Sequence, residues 1–258
     1  MRIARLSWRD EPRYGIVEGA EGAEVVHIIH GDPLYTEVKA TGQTAPLTDV
    51  RLLAPVIPRS KVVGVGRNYV AHAQEMGHIV PSEPLLFLRP NTSVIGPSDP
   101  IVLPRWSRRV EHEAELAVVI SRLCKDVPRD EVDSVILGYT VANDVTARDI
   151  QESDSQWARA KGFDTSCPLG PWIETDFDAS DAPVRAWVDG DVRQDGNTAD
   201  LYFGVAELVE YVSGVFTLLP GDVILTGTPA GVGRLEPGNR VTCEVGGIGT
   251  LSNPVVRR

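Results

Sequence analysis

Two glutamates, Glu113 and Glu115, alternate with small and apolar residues just before the apolar run 116–120. In a β-strand successive side chains face opposite sides, so these two carboxylates face the same way, about 6.8 Å apart along the strand. The apolar run predicts a buried strand, and a buried carboxylate requires a compensating charge or a metal ion. Carboxylate oxygens are the ligands that Mg²⁺ and Mn²⁺ prefer, so the pair indicates a divalent-cation site. A solvated acidic strand face is the alternative that spacing alone leaves open.

Asp144 is the candidate for a third ligand. It follows the apolar run 135–143, and the end of a strand can present a carboxylate into a pocket. The sequence Thr146-Ala-Arg-Asp149 after it matches a capping box, which predicts a helix from Thr146 through Trp157.

Cationic and amide groups follow on this predicted helix. Arg148 and Gln151 are three residues apart and therefore share a helix face, while Lys161 is expected in the turn beyond the helix. Guanidinium and ammonium groups beside a metal could bind a carboxylate-bearing substrate. Exposure of each group to solvent is the alternative.

His72 and Glu75 form a second candidate pair, on the helix-forming segment 70–76. A carboxylate beside an imidazole orients the ring and raises its basicity, which suits a general base that activates water. The alternative is an ordinary surface pair.

Two glycine-containing stretches resemble nucleotide-binding loops but lack the decisive residues. Gly64-Val-Gly66-Arg67 follows a predicted strand without the third glycine of a dinucleotide fingerprint, and the segment 226–233 lacks the glycine-lysine of a P-loop. Both are predicted to be tight turns at the rim of a pocket, and an NAD-dependent activity is disfavoured.

The elements that must position these residues are mostly strands. Apolar and alternating runs predict strands at 3–8, 14–18, 24–29, 61–66, 85–88, 110–120 and 135–143, whereas Val205, Leu208, Val209 and Val212 mark one amphipathic helix. Asp189-Gly190 is the signal of a two-residue β-hairpin turn. The regular βα alternation of a doubly wound sheet is missing, so the predicted class is α+β, mainly β. A proline-punctuated stretch through 41–58 predicts a boundary between a small N-terminal domain, 1–57, and a catalytic domain, 58–258.

Composition limits the class of partner. The 258 residues include 25 Lys plus Arg and 36 Asp plus Glu, a formal net charge of −11, which repels nucleic acid and anionic membranes. No apolar run reaches the roughly 18 residues of a membrane span, and a cytoplasmic location is expected. Cys124, Cys167 and Cys243 form no CxxC pair and are expected to be small buried residues in a reduced compartment. An anionic substrate must therefore be bound by a local positive feature.

Several ordered motifs together resemble the fumarylacetoacetate hydrolase superfamily, in particular its short bacterial branch with acylpyruvases, oxaloacetate decarboxylases and 2-hydroxyhepta-2,4-diene-1,7-dioate isomerases. The resemblance runs from about residue 50 to the end, and residues 1–50 match only loosely. The motifs are Val-Gly-Arg-Asn-Tyr (65–69), His-Ala-Gln-Glu-Met (72–76), Phe-Leu-Arg-Pro-Asn-Thr (87–92), Glu-Ala-Glu-Leu-Ala-Val-Val (113–119), Asn-Asp-Val-Thr-Ala-Arg-Asp (143–149), Trp-Ala-Arg-Ala-Lys-Gly (157–162), Leu-Pro-Gly-Asp (219–222) and Leu-Thr-Gly-Thr-Pro-Ala-Gly-Val-Gly (225–233).

This resemblance implies a mixed β-roll catalytic domain, a Mg²⁺ or Mn²⁺ cofactor and a homodimer. It implies a role for ten residues, which are the metal ligands Glu113, Glu115 and Asp144, the catalytic residues His72, Glu75 and Lys161, and the substrate-binding residues Arg67, Arg148, Gln151 and Thr228. The dyad of His72 and Glu75 lies on a segment that, in relatives, orders over the site when ligand binds. Arg89 departs from the family pattern, which commonly has Lys before Pro-Asn-Thr.

The chemistry that joins these residues is the hypothesis of a metal-stabilised enolate. A small 2-oxo acid would chelate the cation through its carboxylate and 2-oxo oxygen, and the cation would stabilise the enolate that forms when the bond at C3 breaks. C–C bond cleavage, by acylpyruvate hydrolysis or oxaloacetate decarboxylation, is the expected outcome. Isomerisation of a 2-hydroxydienoate is the first alternative, and a non-catalytic ligand-binding domain of the same fold is the second.

Overall fold

A twelve-stranded mixed sheet forms the centre of the computed structural model, which describes residues 1–257. The strands are β1 (Arg2–Trp8), β2 (Glu11–Glu18), β3 (Val25–Ile29), β4 (Ala40–Pro46), β5 (Arg51–Leu53), β6 (Val62–Gly66), β7 (Leu85–Arg89), β8 (Val94–Ile95), β9 (Ile101–Leu103), β10 (Val110–His112), β11 (Ala114–Ile120), β12 (Ile136–Asn143), β13 (Thr146–Ala147), β14 (Cys167–Glu174), β15 (Pro183–Val188), β16 (Asp191–Asn197), β17 (Val223–Leu225), β18 (Gly233–Arg234), β19 (Arg240–Val245) and β20 (Gly249–Arg257). The α-helices are α1 (Val70–Glu75), α2 (Arg148–Ser153), α3 (Ala158–Lys161) and α4 (Val205–Val215). The predicted α+β, mainly β class is confirmed.

Ten strands of the central sheet run in the order β4-β3-β2-β1-β14-β12-β11-β17-β6-β7. The other two lie off this path, where β5 pairs with β1 and β8 pairs with β14. All seven residues of β11 and all three of β17 are buried, because these strands lie in the interior of the sheet and are covered on both faces. Continuous apolar runs are typical of such strands. A second sheet, in the order β16-β15-β19-β20-β9, packs beside it, and Leu116 and Val118 share one apolar cluster with Val184 and Cys243.

The first strands of the chain belong to this same central sheet. Strands β1 to β4 form an antiparallel meander, and β1 also pairs with β14 through Arg2–Glu174 and Ile3–Ile173. The strands predicted near 3–8, 14–18 and 24–29 are confirmed. Strands β4 and β5 were not predicted, because their Thr- and Pro-containing segments form strands only by pairing with β3 and β1. The domain boundary at 57/58 stays a prediction.

Three local predictions elsewhere are confirmed. Asp189 and Gly190 have φ values of 53° and 91°, the left-handed pair that a two-residue hairpin turn between β15 and β16 requires. Helix α4 buries Leu208, Val209 and Val212 on one face. The three cysteines are free and buried, as expected.

The predicted continuous strand 110–120 is wrong, because it is interrupted at Glu113. Strand β10 pairs with β13 and β18 in a small separate sheet, whereas β11 pairs with β12 and β17 in the central sheet. The chain passes from one sheet to the other at Glu113, which places that carboxylate where the two sheets meet.

The predicted helix from Thr146 through Trp157 is also wrong. Thr146 lies in β13, where it pairs with Glu111, and its hydroxyl donates to the Asp144 carbonyl at 2.8 Å instead of capping a helix. The helical segment then divides into α2 and α3, with Lys161 as the last residue of α3 and not in a turn beyond it. Strand pairing with β10 therefore overrides the local capping signal. No helix within residues 1–257 combines the length and the apolar character needed to cross a membrane.

Candidate active site

A cavity of about 480 Å³ opens where β6 and β12 end and β11 begins, beside helices α1, α2 and α3. Nine of the ten residues with an expected role line it, and Glu75 is the exception. Those nine are Arg67, His72, Glu113, Glu115, Asp144, Arg148, Gln151, Lys161 and Thr228.

Three buried carboxylates lie together at the base of the cavity. Each of Glu113, Glu115 and Asp144 offers one oxygen, and these oxygens lie within 4.8 Å of one another. Glu113 stands at the junction of β10 and β11, Glu115 lies in β11, and Asp144 directly follows β12. The Asp144 N–H donates to the Glu113 carbonyl at 2.8 Å, which holds the two chain segments in register. The proximity expected from the sequence is confirmed.

Buried cations surround two of these carboxylates. Lys161 Nζ lies 2.7 Å from Glu113 Oε2 and 2.7 Å from Asp144 Oδ2. Arg148 forms an ion pair with Glu113, and Arg89 forms one with the remaining oxygen of Asp144. Glu115 has no ion-pair partner within residues 1–257, although its Oε2 accepts the Gly227 N–H at 2.8 Å.

This asymmetry moves the pKa values of the two glutamates in opposite directions. Burial alone would raise the pKa of Glu113, but Lys161 and Arg148 hold that pKa well below its usual range. Burial and then the negative charge of Glu113 raise the pKa of Glu115 to about 8. The charges of Lys161 and Arg89 lower that pKa, but by less than burial and Glu113 raise it. Three carboxylate oxygen donors, one of them without an ion-pair partner among the described residues, fit a hard divalent cation such as Mg²⁺ or Mn²⁺.

The dyad of His72 and Glu75 lies on α1, beside the carboxylates. His72 Nδ1 lies 3.3 Å from Glu75 Oε2, and the carboxylate also accepts the Gly231 N–H at 3.1 Å. Burial lowers the pKa of His72 most strongly, so the imidazole is neutral at pH 7. With its Nδ1–H donated to Glu75, the ring has Nε2 free to accept a proton.

Two arginines and one lysine line the cavity. Arg148 and Lys161 pair with carboxylates, whereas Arg67 has no carboxylate partner within residues 1–257. Its φ of 59° lies in the left-handed region, which a non-glycine residue adopts only when its neighbours hold it there. Asn68 provides this restraint because its Nδ2 donates to the carbonyls of Thr226, at 2.8 Å, and Phe203, at 3.0 Å.

The side chains of Arg148, Gln151 and Thr228 are engaged within the protein. Arg148 Nε donates to Glu111 Oε2 at 2.8 Å, and its Nη1 donates to Gln151 Oε1 at 2.6 Å. The Thr228 hydroxyl donates its single proton to the Ala114 carbonyl at 2.8 Å. A hydroxyl whose proton is committed can only accept a hydrogen bond from a substrate.

Sequence reasoning missed the aromatic wall of the cavity. Phe87 and Trp157 contact each other edge to face at 5.5 Å, and Lys161 Nζ lies 5.1 Å from the centre of the Phe87 ring. A Cβ on Gly66 would lie 2.8 Å from Trp157, so the glycine leaves room for the indole. The only local signal was the occurrence of both aromatics beside charged motif residues.

Two family models match most of the chain in two parts. Residues 61–256 match the family described as fumarylacetoacetate (FAA) hydrolase, C-terminal, and residues 1–55 match the one described as Rv2993c-like, N-terminal. Protein Rv2993c of Mycobacterium tuberculosis is 49% identical over 100% of this chain and 99% of that protein. The human mitochondrial oxaloacetate tautomerase FAHD2A is 43% identical over 82% of this chain and 71% of that protein.

Two solved structures add reactions to the comparison. The crystal structure of 5-carboxymethyl-2-hydroxymuconate delta-isomerase from Mycobacterium smegmatis is 52% identical, with a TM-score of 0.93 and 100% coverage of both chains. Maleylpyruvate hydrolase from Sphingobium sp. SYK-6, solved with manganese(II) and pyruvate, is 31% identical, with a TM-score of 0.81 and coverage of 100% of this chain and 99% of that chain.

Proposed function

The chain belongs to the fumarylacetoacetate hydrolase family, and from this premise we propose that it is a divalent-cation-dependent enzyme that moves a proton between the keto and enol forms of small 2-oxo dicarboxylic acids. One observation carries the proposal, the buried triad of Glu113, Glu115 and Asp144 in a cavity that also contains an unpaired arginine. The triad suits a cation, and the arginine suits an anionic substrate.

The triad would hold Mg²⁺ or Mn²⁺, which supplies the positive charge that makes a C–H bond beside a 2-oxo group acidic. Lys161 holds Glu113 and Asp144 close together, since its ammonium group contacts both at 2.7 Å. Arg67 binds the carboxylate of the substrate that lies farther from the triad.

His72 is the proposed general base. Its neutral Nε2 accepts the proton from C3 of the substrate, while Glu75 stabilises the imidazolium through Nδ1. Return of that proton to the 2-oxo oxygen gives the enol, and the reverse path gives the keto acid. Atoms and charge balance without a water molecule or a redox partner.

C–C bond cleavage, the outcome expected from the sequence, is the second candidate. The same dyad can activate water, and the maleylpyruvate hydrolase was solved with manganese and pyruvate. Proton transfer comes first because the relatives named as tautomerase and isomerase are 43% and 52% identical, against 31% for the hydrolase. The homodimer and the cytoplasmic location stay predictions.

A substrate panel tests the proposal. Oxaloacetate, an acylpyruvate and a 2-hydroxymuconate-type dienol are each assayed with Mg²⁺, Mn²⁺ or EDTA, and enol absorbance reports proton transfer separately from product release. We expect cation-dependent turnover that Glu115→Gln abolishes and that the exposed control Glu21→Gln retains. Undiminished turnover in EDTA would contradict the cation requirement. Rapid cleavage of the acylpyruvate without faster ketonisation of oxaloacetate would favour the second candidate.

A further inference from the structure

Gln194 is a completely buried polar residue of β16 that does not line the cavity. Every polar atom of its amide has a partner. Its Oε1 accepts the Ala114 N–H at 2.9 Å and lies 3.2 Å from His112 Nδ1. Its Nε2 donates to Thr228 Oγ1 and to the Pro229 carbonyl, both at 2.7 Å.

Hydrogen bonds from Gln194 and its partner Thr228 restrain Ala114, the residue between the two glutamates of the triad. The N–H of Ala114 donates to Gln194, and the carbonyl of Ala114 accepts from the Thr228 hydroxyl at 2.8 Å. Ala114 is in register with Asn143 of β12 on one side, but on the other side β17 pairs with β11 only at 117–119 and does not reach Ala114. Two side chains replace the missing strand there, and they restrain the backbone from which Glu113 and Glu115 project.

The orientation of the Gln194 amide is fixed by its surroundings. If the amide were reversed, its NH₂ would face the Ala114 N–H, donor against donor, and its oxygen would face the Pro229 carbonyl, acceptor against acceptor. Both contacts are unfavourable in a buried site. In the observed orientation the same oxygen also lies 3.2 Å from His112 Nδ1 and can accept a hydrogen bond from that nitrogen.

The turn that carries Thr228 is itself seated against β16. A Cβ on Gly231 would lie 2.0 Å from the Arg193 carbonyl, and a Cβ on Gly196 would lie 2.4 Å from Pro229. This close approach brings Gln194 within reach of both the turn and β11. The Gln194 side chain therefore links the hairpin of β15 and β16 to the backbone segment that carries Glu113 and Glu115.

We propose that Gln194 is a positioning residue that, together with Thr228, sets the separation of the Glu113 and Glu115 carboxylates and thereby the affinity for the divalent cation. The inference rests on the proposed function, because it concerns the cation of that site. Partners of this kind, which orient the ligands without touching the metal, change metal affinity by roughly 10- to 100-fold when they are removed.

The test is a calorimetric titration of EDTA-stripped full-length protein with Mn²⁺. Gln194→Met keeps the length of the side chain and removes its hydrogen bonds, and Gln43→Met is the matched control on the exposed surface of β4. We expect the Mn²⁺ Kd of Gln194→Met to rise roughly 10- to 100-fold, with the control unchanged. Urea unfolding in EDTA measures the stability of each variant separately, since a merely structural role would lower stability and leave the Kd of the folded protein unchanged.

A second pair keeps the test decisive if Gln194→Met fails to fold. Thr228→Val keeps the shape of the side chain and loses the hydroxyl, whereas Thr228→Ser keeps the hydroxyl. We expect weaker Mn²⁺ binding in the valine variant and recovery in the serine variant. Folded variants of both residues that bind Mn²⁺ within about twofold of the wild type would overturn the inference alone. Failure of the wild type to bind Mn²⁺ or Mg²⁺ would overturn the proposed function and this inference together.

Discussion

Neutralising Glu115 should stabilise the cation-free protein, whereas neutralising Glu113, two residues away, should destabilise it. Both carboxylates are buried, but of the two only Glu113 forms ion pairs with Lys161 and Arg148. Glutamine has the shape of glutamate without its charge, so both substitutions test charge and little else.

The expected magnitudes follow from the two environments. Burial and the charge of Glu113 raise the pKa of Glu115 from 4.5 to about 8, so at pH 7 the folded protein holds a proton that the unfolded chain releases. That difference destabilises the folded state by up to about 3 kcal/mol at pH 7, because each pH unit above the unfolded pKa adds about 1.4 kcal/mol. Glu115→Gln removes this penalty. Glu113→Gln removes the buried carboxylate that Lys161 and Arg148 share and leaves each cation with one remaining partner, Asp144 and Glu111 respectively, which costs about 3–5 kcal/mol.

Urea unfolding in EDTA at pH 5 and pH 7 measures both effects, with Glu21→Gln as the control. The folded state binds the extra proton, so the penalty in the wild type grows as pH rises from 4.5 towards 8 and is below about 1 kcal/mol at pH 5. The gain from Glu115→Gln should therefore be present at pH 7 and nearly absent at pH 5. If Glu115→Gln destabilised the protein as much as Glu113→Gln at pH 7, the electrostatic account of the triad would be refuted.

Three further predictions concern the dyad, the unpaired arginine and the turn. His72→Gln should lower turnover about 10²- to 10⁴-fold and leave the Mn²⁺ Kd measured by calorimetry unchanged. Because burial lowers the pKa of His72, the acidic limb of the wild-type pH–rate profile should lie below pH 6.5. Arg67→Ala should raise KM for a 2-oxo diacid about 10-fold or more, through the loss of a charge-assisted contact, and change KM for a 2-oxo monoacid little in steady-state assays; equal changes would contradict its role. Gly231→Ala should lower the urea midpoint more than Gly238→Ala, because both glycines have φ near 98° but only the Cβ at 231 meets the Arg193 carbonyl, and equal losses would show that backbone strain alone matters.

The carboxylate triad was predictable because its members lie at the ends of buried strands. Glu113 and Glu115 stand at the start of β11, and Asp144 follows an apolar run that forms β12. The environment of each carboxylate was not predictable, because it depends on residues far away in sequence. Arg89 reaches Asp144 across 55 residues of chain, and Gln194 reaches Ala114 across 80 residues.

The errors in the secondary-structure prediction also come from contacts between residues far apart in sequence. The capping signal at Thr146 was real as a local pattern, but pairing of Thr146 with Glu111 on β10 prevails. Strand β4 has weak local propensity and forms because β3 provides its hydrogen bonds. Long-range pairing of this kind leaves no periodic trace in the sequence.

The pairing of charges around the triad has a consequence for the order in which ligands bind. The buried cations Arg89, Arg148 and Lys161 contact Glu113 and Asp144. Glu115 has no cation at ion-pair distance within residues 1–257, and its Oε2 accepts only the Gly227 N–H. Without a metal ion, an anionic substrate would therefore approach an unpaired carboxyl group at the base of the cavity. A divalent cation held by the triad would place two positive charges at that point. The site therefore favours compulsory ordered addition, in which the cation binds first and the diacid second.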